Sequence, residues 1–99
     1  GLYSATKGAV TAFARSAALE LAVEKVRINV VCPGDIKTPL LKRQFAAYGG
    51  SEKETAELYP LMRIGRPEEV GEVISFLLSD RASFMTGSVV MVDGGLTDW

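Results

Sequence analysis

Two short apolar segments, far apart in the sequence, set the strongest constraint on how this chain folds. Residues 26–32 (VRINVVC) and 88–92 (SVVMV) are rich in β-branched side chains, as β-strands are. Residues 33–87 separate them and contain helical patterns, which suits a parallel pair joined by a right-handed crossover. Two parallel strands alone leave two edges open and bury little area. We therefore predict an α/β fold in which this chain forms the last part of a larger doubly wound parallel sheet.

The first helix is predicted over residues 4–24. One apolar stripe at helical spacing is formed by Val10, Phe13, Ala14, Ala17, Ala18 and Leu21. Because alanines occur on several sides of this helix, neighbouring elements can approach it closely. We expect the sheet on one side of it and another helix, from this or a second subunit, on the other.

The second long helix is predicted over residues 67–79. Pro67 suits the first helical position, and the two glutamates after it suit the positive end of the helix dipole. Shorter helices are predicted over residues 40–47 and 51–58, the latter opened by a capping box that starts at Ser51. The segment between the two strands is therefore largely helical.

Charge and residue counts exclude several classes of function. The 11 basic and 12 acidic side chains give a net charge of −1, which predicts no nucleic-acid partner and no attraction to anionic lipid. Charged residues interrupt every apolar run before the ~18–20 residues that a membrane helix needs. The sequence has no histidine, so neither a Ser-His-Asp site nor a metal site is predicted. The single cysteine, Cys32, cannot form an internal disulfide, and the opening residues lack a secretory signal, so a cytoplasmic location is expected.

Tyr3 and Lys7 are the side chains best suited to acid–base chemistry. They are four residues apart, so they share one face of a helix. A phenol with a pKa near 10 is a poor proton donor or acceptor at neutral pH. An ammonium group about 5.5 Å away favours the phenolate by roughly 3 kcal/mol, which lowers the pKa of the phenol toward about 8. Desolvation opposes this effect, and such a pair also arises by chance, so its meaning depends on the rest of the sequence.

Four motifs in a fixed order supply that context. They are residues 3–10 (YSATKGAV), 27–39 (RINVVCPGDIKTP), 65–70 (GRPEEV) and 84–95 (FMTGSVVMVDGG). In this order they resemble the C-terminal half of the short-chain dehydrogenases/reductases over essentially the whole chain. The resemblance implies a Rossmann-like fold and an oxidoreductase that depends on NAD or NADP.

The resemblance also implies which residues do the chemistry. Tyr3 is similar to the acid–base tyrosine of the family, and Lys7 to the lysine that lowers the pKa of that tyrosine and holds the nicotinamide ribose. Both would contact the cofactor. A hydride would pass between the nicotinamide and the carbon of a carbonyl or secondary alcohol, while Tyr3 moves the proton.

A loop after the first strand is similar to the part of the family that holds the nicotinamide end of the cofactor. Its matching residues are Pro33, Gly34, Ile36 and Thr38. Ligands bind at the C-terminal ends of parallel strands, which is where this loop begins. Residues 40–60 match the variable segment that covers the substrate.

Several features of the family are not found in this sequence. No G-x-G-x-x-G turn occurs, and the catalytic serine and asparagine of the family lie upstream of its tyrosine. The residue that selects NAD or NADP lies upstream as well, so both cofactors remain open. We therefore expect residues 1–99 to be the C-terminal portion of one such domain without its nucleotide-binding half. Such a chain by itself should neither bind a dinucleotide tightly nor turn over.

Three functions stay open on the sequence alone. The first is the oxidoreductase, acting on a small-molecule carbonyl or alcohol and assembling as a dimer or tetramer. The second is a noncatalytic fragment or assembly module, docked to a separate N-terminal half. The third is a regulatory binding domain unrelated to the family.

Some side chains are assigned structural positions. Asn29 is predicted to be a hydrogen-bonded structural residue, and Cys32 a core residue. Glutamates such as Glu69 are expected on solvated helix faces or near helix dipoles. Eight residues suggest an apolar cover over the substrate, and several of them are expected to be packing residues instead: Leu40, Leu41, Phe45, Tyr48, Leu58, Tyr59, Leu61 and Met62.

Overall fold

The computed structural model describes residues 2–96, with side chains from residue 4 onward. Its helices are α1 (Leu2–Ala22), α2 (Pro39–Tyr48), α3 (Glu52–Ala56) and α4 (Pro67–Leu78), and its strands are β1 (Val30–Pro33) and β2 (Val89–Val92). A 3₁₀ turn at Asp80–Ala82 lies between α4 and β2. The predicted order of elements is confirmed, with each long helix within two residues of its expected ends.

The two strands form one parallel pair, as predicted. Val30 N–H donates to the Ser88 carbonyl at 2.9 Å, and four residues later Gly34 N–H donates to the Val92 carbonyl at 3.0 Å. Because the partner numbers increase together along both strands, the strands run in the same direction. The α/β fold is therefore confirmed.

The first strand begins later than expected, at Val30 instead of residue 26, and the earlier boundary is wrong. Lys25 has a positive φ of 59°, and Val26 N–H donates back to the Leu21 carbonyl at 3.2 Å. This is the hydrogen-bond pattern that ends a helix with one left-handed residue. The N–H of Ile28 then donates to the Thr86 hydroxyl rather than into a ladder. Residues 26–29 therefore close the helix and cross to the sheet instead of extending the strand.

The structure divides into two compact units, and the first comprises residues 1–31 and 74–90. Its most buried side chains include Ala14, Ala18, Leu77 and Ala82. A Cβ added at Gly87 would lie 3.3 Å from the Ala18 Cβ, so this unit packs closely against the small residues of α1. Phe13 does not follow the predicted stripe into the core, because 66% of it is exposed.

The second unit comprises residues 32–73 and 91–99. Its most buried side chains are Tyr59, Ile64 and Asp93, at 2%, 7% and 8% exposure. Two of these three carry polar groups, and Tyr59 comes from the segment that was expected to cover the substrate. Tyr59 is therefore one of the residues of that group that pack inside the protein instead of covering the substrate.

Helix starts in the second unit follow local sequence rules. The Thr38 hydroxyl accepts from Leu41 N–H at the start of α2, and the Ser51 hydroxyl accepts from Glu54 N–H at the start of α3. These contacts satisfy N–H groups that have no partner inside the helix. The helix predicted to Leu58 ends at Ala56, because the next N–H groups form tighter i→i−3 bonds.

The described residues, 2–96, contain neither a membrane-spanning helix nor a cluster suited to a metal ion. No helix in that part of the chain is long and apolar enough to cross a membrane. Among the same residues, no group of three or more His, Cys, Asp or Glu side chains is arranged to hold a metal ion.

Candidate active site

Tyr3 and Lys7 both lie in the first turns of α1. Four helical residues advance the backbone by about 6 Å, so the two positions follow each other along one face. The side chain of Lys7 is exposed and its carbonyl accepts from the Thr11 hydroxyl at 2.8 Å. The side chain of Tyr3 lies outside the described residues, so the structure gives the Tyr3–Lys7 pair its backbone placement only.

The candidate nicotinamide loop, residues 33–38, begins where β1 ends. Within the second unit, its backbone forms hydrogen bonds with both the N–H and the carbonyl of Gly65. Asp35 carbonyl accepts from Gly65 N–H at 2.9 Å, and Lys37 N–H donates to the Gly65 carbonyl at 2.9 Å. These two bonds make a parallel bridge between Ile36 and Gly65. The backbone of the loop is therefore bonded at Gly34, Asp35 and Lys37, with Gly34 bonded to β2 as described above.

Ile36 and Thr38 are the loop residues with capacity left for a ligand. In the described part of the chain, the N–H donors used by the loop are those of Gly34, Asp35 and Lys37, and not that of Ile36. The Thr38 hydroxyl accepts a bond at the start of α2 and still has its own hydrogen to donate. Two donors at the C-terminal end of a parallel strand are suited to a polar ligand such as an amide.

Tyr59 and Asp35 form the tightest polar contact in the second unit. The Tyr59 hydroxyl donates to Asp35 Oδ2 at 2.6 Å and accepts from Asp35 N–H at 2.6 Å. Burial, and then the carboxylate of Asp35, raise the pKa of Tyr59 to about 12. The phenol is therefore protonated at neutral pH and acts as a permanent donor to this carboxylate.

A second polar cluster lies at the start of α4. Arg63 makes two parallel bonds to Glu69, Nη1 to Oε1 and Nη2 to Oε2, each at 2.7 Å. Glu69 Oε1 also accepts from the N–H of Arg66 at 2.9 Å, just before the helix begins. The Arg63 guanidinium is the main cause that lowers the pKa of Glu69 to about 2. The sequence predicts a position for Glu69 on a solvated helix face or near a helix dipole. In the structure its carboxylate also bonds the segment before α4 to the helix.

An open cleft borders the loop at Lys37. It has a volume of about 350 Å³ and is lined by Lys37, Glu52, Lys53, Ala56, Met62, Arg63, Ile64, Gly65 and Arg66. Lys37 and Glu52 form an ion pair across 3.4 Å. Five of its nine lining residues are thus charged. Apolar residues expected to form a cover, such as Leu40 and Tyr48, are exposed at 58% and 89%.

Comparison with known proteins identifies the family. A family model described as enoyl-(acyl carrier protein) reductase matches residues 1–97. The chain belongs to the short-chain dehydrogenase/reductase family. The resemblance seen in the four motifs is thereby confirmed.

Individual members of the short-chain dehydrogenase/reductase family match over nearly the whole chain. Cyclohexanol dehydrogenase of Acinetobacter sp. (strain SE19) is 50% identical over 95 residues, which are 96% of this chain and 36% of that protein. A family protein from Francisella tularensis subsp. tularensis SCHU S4 has a crystal structure with TM-score 0.81 and 38% identity, covering 98% of this chain and 43% of that one. The structure of ElxO with NADP bound gives TM-score 0.82 and 35% identity, covering 99% of this chain and 40% of that one. The chain spans less than half the length of each of these relatives.

Two functional-site features of this family member were missed by sequence reasoning. The contact between Tyr59 and Asp35 joins residues 24 apart, and no local pattern marks it. The bond from Glu69 to the Arg66 N–H could have been found, because a glutamate at the third helical position commonly reaches back to the N-cap. The structural role predicted for Asn29 is confirmed, since its amide donates to the Met85 carbonyl and accepts from Ser88 N–H.

Proposed function

We propose that this chain provides the acid–base pair and the nicotinamide-binding loop of an oxidoreductase that interconverts a carbonyl and a secondary alcohol with NAD or NADP. The observation that supports this most is the Tyr3–Lys7 pair at the start of α1 in a member of this family. ElxO, a relative of known structure, binds NADP. The proposed substrate is a small molecule, for which cyclohexanol is the first probe because a relative is named for it.

The proton chemistry is assigned to Tyr3. In the direction of reduction, a hydride reaches the carbonyl carbon while the Tyr3 hydroxyl gives its proton to the carbonyl oxygen, so that C=O becomes CH–OH. In the reverse direction the phenolate takes the proton back. The ammonium group of Lys7 favours the phenolate and brings the proton affinity of Tyr3 closer to the working pH. The nicotinamide supplies or accepts the hydride when it is bound.

Cofactor binding is assigned to Lys7 and the loop of Pro33, Gly34, Ile36 and Thr38. The Ile36 N–H and the Thr38 hydroxyl are donors that suit the carboxamide oxygen of a nicotinamide. The exposed ammonium of Lys7 suits the hydroxyls of the adjacent ribose. Assembly as a homo-oligomer and a cytoplasmic location are the remaining parts of the proposal.

The experiment is made on the whole gene product, meaning this chain with any sequence that flanks it in the gene. Tyr3→Phe keeps the ring and removes the proton, so turnover of cyclohexanone should fall by roughly 100-fold or more. Affinity for NADH or NADPH, measured by fluorescence titration, should stay within about threefold of the unmodified protein, since the ring is kept. Ser16→Ala, which removes an exposed hydroxyl further along α1, is the control and should change neither quantity.

Lys7→Ala tests the two roles proposed for this residue, in proton transfer and in cofactor binding. It should lower turnover and weaken cofactor binding together, because one charge serves both the phenol and the ribose. Arg15→Ala, which removes an exposed positive charge from the same helix, is the matched control. If Tyr3→Phe keeps most of the activity, the assignment of the proton donor is wrong, whatever Lys7→Ala does.

A further inference from the structure

Tyr59 differs from its neighbours in the segment after α3. Only 2% of Tyr59 is exposed, while Leu58, Leu61 and Met62 are exposed at 60%, 62% and 60%. A buried phenol needs a partner for its hydroxyl, and this one finds both a donor and an acceptor in Asp35. The residue was not among those that the family motifs assign to the site.

The two hydrogen bonds of the Tyr59 hydroxyl fix Asp35 in two ways. The bond from the Asp35 N–H at 2.6 Å sets the orientation of the peptide that joins residues 34 and 35. The bond to Asp35 Oδ2 at 2.6 Å sets the rotamer of the side chain. Since one oxygen makes both bonds, a change in either peptide or carboxylate has to move the other.

Gly34 lets the loop come this close to the phenol. A Cβ at this position would lie 2.8 Å from Tyr59 Cε1 and 2.9 Å from the Tyr59 hydroxyl oxygen. It would also lie 3.2 Å from the Cα of Asp93, which is backbone and cannot rotate away. The glycine of the Pro33–Gly34 pair is therefore required by the ring of Tyr59 and by the backbone of Asp93.

The other side of Tyr59 rests on a rigid turn. Met62 N–H donates to the Tyr59 carbonyl at 2.8 Å, with Pro60 at the second position that such turns favour. Leu61 N–H donates to the Gly94 carbonyl at 3.1 Å, which ties this turn to the chain after β2. These backbone bonds fix the main chain at Tyr59, so its phenol can support the loop at a fixed place.

We propose that Tyr59 is a positioning residue for the cofactor: through Asp35 it holds residues 34–36 so that the Ile36 N–H and the Thr38 hydroxyl point to the nicotinamide carboxamide. The inference rests on the proposed function, because it needs a nicotinamide to bind at this loop. A loop that is already ordered loses less entropy when the cofactor binds, so the contact between Tyr59 and Asp35 raises the affinity for the cofactor. Tyr59 itself touches neither the hydride nor the proton that is transferred.

The test compares Tyr59→Phe with the unmodified whole gene product. The substitution keeps the ring against Gly34 and removes the hydroxyl. The dissociation constants for NADH and NADPH should rise about tenfold, because the loop loses both hydrogen bonds of the Tyr59 hydroxyl, one of them to a carboxylate. The turnover at saturating cofactor should change less than twofold, because Tyr3 and Lys7 are left in place. Hydrogen exchange at the Asp35 amide should also become faster.

Two variants at Asp35 show whether geometry is responsible. Asp35→Asn keeps an oxygen that can accept from Tyr59 and should retain cofactor affinity within about threefold. Asp35→Ala removes the acceptor and should weaken binding about as much as Tyr59→Phe. Because the two side chains act together, the double variant of Tyr59→Phe and Asp35→Ala should bind the cofactor no more weakly than the single variant that binds it more weakly. Independent, additive losses would overturn the inference.

Arg27→Ala is the control for a loss of stability without a change in the loop. It lies in the first unit and should leave the cofactor dissociation constant unchanged. If Arg27→Ala weakens cofactor binding as much as Tyr59→Phe does, the cause is a general loss of stability and the inference is overturned. Normal cofactor binding by Tyr59→Phe would overturn the inference alone. Failure of the unmodified protein to bind either cofactor would refute the proposed function, and the inference with it.

Discussion

In the first unit Arg27 and Asn29 donate to the main-chain carbonyl of Met85, whereas in the second unit Tyr59 donates to a carboxylate and accepts from the N–H of Asp35. Both arrangements use polar side chains to fix irregular backbone. The segment held by Arg27 and Asn29 contains none of the proposed site residues. The segment held by Tyr59 lies between Gly34 and Ile36, which are proposed to hold the cofactor.

The difference shows how similar contacts can serve stability in one place and binding in another. Arg27 also donates to the carbonyls of Leu77 and Ser79, at 2.8 Å and 3.4 Å, and so joins the end of α4 to the segment that follows it. Removing it should leave partly buried carbonyls without this partner and destabilise the fold. Disturbing Tyr59 should instead appear mainly in cofactor affinity, and disturbing Gly34 should change both stability and cofactor affinity. Two variants test this difference between stability and cofactor binding, and a third tests how Glu69 contributes to stability in acid.

The largest expected effect on stability is that of Arg27→Ala. Because the guanidinium satisfies three carbonyls, the free energy of unfolding should fall by roughly 3 kcal/mol. Denaturant unfolding of the whole gene product measures this change. Arg81→Ala is the matched control, since this exposed arginine stacks on Phe76 at 5.9 Å and should cost less than about 1 kcal/mol. Equal losses in the two variants would contradict the role given to Arg27.

Gly34→Ala should have the next largest effect, and in the second unit. The new Cβ meets the Tyr59 ring and the Asp93 backbone, so the loop has to shift at a cost of about 1–3 kcal/mol. The dissociation constant for NADH or NADPH should rise together with this loss. Gly71→Ala is the matched control, because its Cβ meets nothing within 4 Å and a helical glycine gains up to about 1 kcal/mol on becoming alanine. A Gly34→Ala protein with normal stability and affinity would show that the loop is not confined.

The smallest effect is expected at Glu69, in acid. The pKa of its carboxyl is lowered from 4.5 to about 2 by Arg63 and by the N–H of Arg66, so the folded protein binds this proton less tightly than the unfolded chain. The stability from this contact is present above pH 4.5 and is lost as the pH falls toward 2. In Glu69→Gln the stability should depend less steeply on pH in this range, with Glu68→Gln as the control. Identical acid unfolding curves for all three proteins would rule out the contact in solution.

Much of this fold follows from the sequence by itself. The parallel strand pair, the two long helices and the caps at Thr38 and Ser51 are encoded by periodicity and by side chains within a few residues of the groups they satisfy. The family follows from four motifs in order, and a family match over residues 1–97 confirms it. The roles of Tyr3 and Lys7 come from the same motifs and remain predictions.

The tertiary structure decided what joins residues far apart in the chain. The late start of β1 follows from Val26 closing the helix and from Ile28 bonding to Thr86, 58 residues away. The burial of Tyr59 follows from Asp35, 24 residues before it, and no spacing rule links a phenol to a carboxylate at that distance. Local rules describe how a residue affects the backbone next to it, while these contacts exist only after the strands have paired and brought their loops together.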